Sequence, residues 1–81
     1  MCRVIAKIEE GLVPSERVAR ISTADGFTEE FTVSARQVAN GTVEATYIGR
    51  QNGNVLLELP RESASGNWRV WVSSDKVDGA G

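Results

Sequence analysis

Histidine is missing from this chain, cysteine occurs once and proline twice in 81 residues. Without histidine, the commonest general base and metal ligand is unavailable. A lone cysteine neither closes a bridge within the chain nor completes a zinc site. No phosphate-cradling glycine loop of the dinucleotide or nucleoside triphosphate type occurs. The adjacent carboxylates Glu9-Glu10 and Glu29-Glu30 would point to opposite faces of a strand, so they are expected to be solvated charge and not an acid/base couple. These gaps argue against an enzyme and predict neither cofactor nor metal site.

Long apolar runs are missing as well. Nothing approaches the roughly 18 residues of a spanning helix, and no charged-then-apolar leader is visible. Nine basic and eleven acidic residues are interspersed, for a net charge of −2. A basic block is therefore lacking, and with it the electrostatic footprint for duplex DNA or an anionic membrane. A cytoplasmic protein without a membrane partner is expected. The shortage of cysteine agrees, since small secreted domains often rely on disulfides. In that setting Asn40-Gly41-Thr42 is a turn followed by a strand and not a glycosylation site. Methionine removal would leave Cys2 as an amino-terminal thiol, a group some enzymes use as a nucleophile. A domain this small leaves little room for a substrate cleft, so Cys2 is expected to be a small hydrophobe at the start of the first strand.

What remains is ordinary globular material, 41% hydrophobic and 25% charged. It reads as one domain over residues 1–77 with a flexible tail over 78–81. Period-two alternation, the mark of strands, runs through most of it. Strands are predicted over 2–8, 17–23, 27–33, 42–48, 54–59 and 67–72. Gly11 to Ser15 is a loop, Ala24-Asp25-Gly26 and Asn52-Gly53 have hairpin-turn chemistry, and Pro60 to Gly66 is a polar loop. Ser34 to Val38 and Ser73 to Val77 fit single helical turns. The halves also align with each other. Val4 and Ala6 recur as Val43 and Ala45, and Val33, Ser34 and Val38 recur as Val72, Ser73 and Val77. The offset is 39 at both ends (43 minus 4, 72 minus 33) and slips by one or two between them. Such a period is a candidate internal two-fold repeat.

The fold class expected from this order is all-β: a small barrel of five to six antiparallel strands with one-turn helices, because closure removes exposed edges. From Gly41 to Val77 the chain resembles the SH3-like small barrels, in its strand over 42–48, the Asn52-Gly53 hairpin, the strand over 54–59, a longer loop, the strand over 67–72 and a final turn. Within that group, Val43-Glu44-Ala45 through Gly53-Asn54-Val55-Leu56-Leu57 looks like the Sla-type homology domain of endocytic adaptors and many bacterial proteins. The resemblance implies a barrel and a role in peptide recognition. The plasmid-borne type II dihydrofolate reductases are SH3-like chains of similar size. Their final strand carries Val-Gln-Ile-Tyr where this chain has Arg69-Val70-Trp71-Val72, so that activity is not carried over.

Binding residues are sought among the aromatics and their basic neighbours. If Val70 and Val72 face the core, Trp68 shares that face and Arg69 and Trp71 point outward. Trp and Arg are the types enriched at binding hot spots. Leu56 also turns outward if Val55, Leu57 and Leu59 face in, and Arg50 and Arg61 are further candidates to join it. The expected function is a non-catalytic module that binds a protein or peptide partner, or a second copy of itself, through Trp71, Arg69, Leu56, Arg50 and Arg61. The alternative is single-stranded nucleic acid stacking on Trp71 beside the arginines, which the net negative charge disfavours.

Overall fold

The computed structural model describes residues 1–79. Most of the predicted runs become strands: β1 (Cys2–Ile5), β2 (Lys7–Glu10), β3 (Glu16–Ser22), β4 (Thr28–Ser34), β5 (Val38–Ala39), β6 (Thr42–Gln51), β7 (Asn54–Glu58), β8 (Arg69–Ser73) and β9 (Val77–Asp78). The first predicted strand is broken at Ala6, whose amide still donates to Gly41 C=O at 2.9 Å in the register of the β1–β6 ladder, whereas Lys7 onward pairs in the other sheet. The predicted helical turns form as single 3-10 turns, Ala35–Gln37 and Ser74–Lys76. Ser34 caps the first in a reciprocal box with Gln37. The expected flexible tail begins one residue too early, for Asp78 pairs with Arg3 in a short ladder; Ala80 and Gly81 lie outside the described residues.

Two antiparallel sheets result. One runs β2-β3-β4, and the other runs β8-β7-β6-β1-β9 with β5 also paired to β6. The expected single closed barrel does not form. The outer strands β4 and β8 meet loops instead of a further ladder: Ala64 N donates to Glu30 C=O at 2.7 Å, and Ala24 N donates to Trp71 C=O at 2.8 Å. A loop bond blunts each edge without supplying the strand that would complete a ring. Between the sheets lies the core, in which Ile21, Leu57, Val4, Val33, Val43, Val55 and Val72 are fully buried. Each such side chain contributes about 1.5–3 kcal/mol relative to remaining exposed. No helix among the described residues is long and apolar enough to cross a membrane.

Two Asn-Gly turns set the register of the second sheet. Asn40 and Gly41 (φ 53° and 74°) join β5 to β6, and Asn52 and Gly53 (φ 54° and 79°) join β6 to β7. Two successive positive φ values define the two-residue hairpin turn whose twist matches that of the strands it joins. β6 then carries a bulge between Tyr47 and Gly49, which shifts its pairing with β7 by one residue.

The pairings themselves stand at the offset seen in the sequence. Val38 pairs with Val43, and Val77 pairs with Val4, so both members move by 39 (77 minus 38, 43 minus 4). β1 and β6 pair around Val4 opposite Val43. Ala35 N bonds Ser15 C=O just as Ser74 N bonds Gly53 C=O.

Candidate binding groove at the edge of β8

A groove of about 660 Å³ opens between the edge of β8, the β3–β4 tip and the loop that precedes β8. The tip is locally determined. Asp25-Gly26 supplies the turn, with Gly26 at φ 90°, and Thr23 N donates to Phe27 C=O at 2.8 Å. The Thr23 hydroxyl accepts from Phe27 N at 3.0 Å and lies against the Asp25 carboxylate. The Ala24–Trp71 bond then docks this tip on β8. As a result Phe27, 68% exposed, and Trp71, 38% exposed, line one groove although they come from different sheets.

The floor is polar and fully bonded. Glu29, only 7% exposed, accepts hydrogen bonds from Ser65 Oγ and from Asn67 Nδ2, the latter at 2.9 Å. Desolvation pushes its carboxyl up, but the hydrogen bonds from Ser65, Ser63 and Asn67 together outweigh it and hold the group below its ordinary value; the nearby Asp25 charge opposes them. Glu29 is thus not the solvated charge expected from the sequence. Ser63 and Asn67 close the loop over it, with Ser63 N donating to Asn67 C=O at 2.9 Å. Its neighbour Glu30 does face solvent and pairs with Arg20 at 2.8 Å.

The residues singled out in the sequence separate into two groups. Trp71 and Arg69 line the groove. Leu56 stands directly opposite Trp71, and Gly49 opposite Leu56, so these form one row on the outer face of the second sheet. Arg69 stands opposite Glu58 and is bonded to it at 3.3 Å. The other two arginines lie elsewhere. The bulge puts Arg50 opposite the buried Val55, on the other face from Leu56, and Arg61 lines a separate hollow with Glu30 and Thr32.

Trp68 requires a correction. It is 52% exposed and not core. β8 begins only at Arg69, and the core does not extend to the end of the strand where Trp68 stands. Its backbone remains paired, since Trp68 C=O accepts from Leu59 N at 2.8 Å. Phe27, at the head of the strand predicted over 27–33, precedes β4 and is exposed. Sequence reasoning therefore missed Phe27, Asp25, Glu29 and Asn67 as groove residues. The Asp25-Gly26 turn beside an aromatic was the available signal.

Cys2 lies in the core at the start of β1, and its thiol donates to Ala45 C=O at 3.6 Å. Burial raises its pKa, partly opposed by the nearby amino terminus. A raised pKa and burial both make a thiol inert.

Comparison with known proteins gives no match: no family model, no curated protein and no solved structure is significantly similar to this chain.

Proposed function

We propose that this chain is a non-catalytic interaction module of the cytoplasm that binds a protein or peptide partner in the groove at the edge of β8. The observation that carries the reading is the convergence of Phe27 and Trp71 on one groove. Aromatic side chains supply large contact area at low entropic cost and anchor most measured hot spots. Single-stranded nucleic acid is the weaker reading, because Asp25 and Glu29 line the same groove and its one arginine, Arg69, is already paired with Glu58.

The order β6, hairpin, β7, longer loop, β8 and a 3-10 turn supports an SH3-like module over the second half. The pairings that recur at an offset of 39 (77 minus 38) support descent of the two halves from one repeated unit.

Panning a random-peptide display library on the purified chain tests the binding function. Peptides should be enriched on the wild-type protein and not on a folded Phe27→Ala/Trp71→Ala double variant. Equal enrichment on both would remove the groove from the reading. Binding of oligothymidylate that is lost on Trp71→Ala and falls steeply with salt would favour the nucleic-acid alternative.

A further inference from the structure

We infer that the groove takes an extended peptide segment carrying a basic side chain, with the guanidinium or ammonium group directed to the Asp25–Glu29 end. This rests on the binding reading above and names the partner's chemistry.

Asp25 and Glu29 both line the groove, and the Asp25 charge is felt at Glu29. Among the described residues neither has a cationic side chain within ion-pairing distance, whereas Glu9, Glu30, Glu44 and Glu58 each have an arginine. Glu29 is held ionised by neutral donors, so its negative charge is not cancelled inside the protein. Arg69, the only cation on the lining, is tied to Glu58. The groove is therefore negative, and Phe27 and Trp71 line it together with the two carboxylates. A carboxylate beside aromatic rings favours a cation over an anion or a neutral group.

Leu59 bonds Trp68 across the β7–β8 ladder, and bonded pairs alternate with unbonded ones in an antiparallel ladder. Arg69 and Trp71 consequently turn their own N–H and C=O groups away from β7, toward the open edge. Trp71 C=O is taken by Ala24. The Arg69 groups face the groove, where an extended chain meets them as an added strand. Such a chain places alternate side chains toward the groove, so one basic residue flanked by β-branched residues fits both requirements.

The test uses two blocked pentapeptides, Thr-Val-Arg-Val-Thr and Thr-Val-Glu-Val-Thr, titrated into the full chain and followed by amide and indole NMR shifts. The arginine peptide should shift the signals of Phe27, Thr28, Arg69 and the Trp71 indole and bind about tenfold more tightly than the glutamate peptide, the effect of about 1.4 kcal/mol. Asp25→Asn should cut that preference several-fold while leaving the protein's own spectrum folded. Equal or tighter binding of the glutamate peptide overturns the charge assignment and leaves the groove reading standing. No shift from either peptide at millimolar concentration also overturns it. The display experiment then decides the groove reading separately, since peptides enriched there without lysine or arginine show an occupied groove with a different preference.

Discussion

Glu29 is buried between two exposed neighbours, Thr28 and Glu30. Its carboxyl sits below the ordinary value of 4.5 in the folded protein, so the folded state binds this proton less tightly than the unfolded chain does. The resulting stabilisation is complete above the unfolded value and is lost as pH falls through the lower folded value. Urea midpoints measured at about pH 5 and about pH 3 should therefore drop more for the wild-type protein than for Glu29→Gln. Parallel drops would mean that Glu29 contributes none of this pH dependence. At neutral pH Glu29→Ala should cost about 1–3 kcal/mol, because Ser65 and Asn67 lose their acceptor. Burial also separates residues that look alike in the sequence. Leu57→Ala should cost about 2–5 kcal/mol, since Leu57 is fully buried. Trp68→Ala, at an exposed site, should cost less than about 1 kcal/mol. A denaturant series on the two variants checks the order, and a silent Leu57→Ala beside an unfolded Trp68→Ala would invert the assignment.

Among the elements, the β6–β7 hairpin depends on the left-handed backbone of Asn52 and Gly53. Gly53 holds φ 79° although a Cβ there would meet no atom within 4 Å. The obstacle to substitution is therefore conformational and not steric crowding by neighbours. Gly53→Ala should cost about 1–2 kcal/mol, the left-handed penalty for an L-residue, read as a fall in thermal midpoint. Gly49 makes the contrast. It also has open space around the position of a Cβ, and it has no positive φ. Gly49→Ala should be close to neutral. The bulge beside it moves Arg50 off the face of Leu56 and Trp71, so this one-residue irregularity decides which arginine accompanies the tryptophan.

For the whole molecule, the halves are interlocked and not merely adjacent. β1 comes from the first half, yet it pairs with both β6 and β9 of the second. The edge strands β4 and β8 are each held by a loop from the other half. Each half therefore loses hydrogen bonds if the other opens: the ladders of β1 with β6 and β9, and the two loop bonds. Unfolding should be a single transition, with tryptophan fluorescence (both tryptophans lie in the second half) coinciding with far-ultraviolet circular dichroism. Separate midpoints would show independent halves.

The strands, both Asn-Gly turns, the one-turn helices and the buried alternation of Val70 and Val72 were legible in the sequence, because they depend on local φ/ψ preference and on a period of two. The outward row of Leu56 and Trp71 was legible for the same reason. Tertiary structure decided the rest. Alternation says which way Trp68 and Glu29 point but not what lies there: at one position the sheet runs past its core, and at the other a polar loop closes over a carboxylate. β5 and β9 are two residues long, too short for any periodicity, and exist because a neighbouring strand offers them bonds. Whether the sheets close into a barrel depends on which edges meet, and no local pattern encodes that. Phe27 and Trp71 come together through one bond between the backbones of Ala24 and Trp71, and backbone groups are the same at every residue, so the composition of the groove could not be read along the chain.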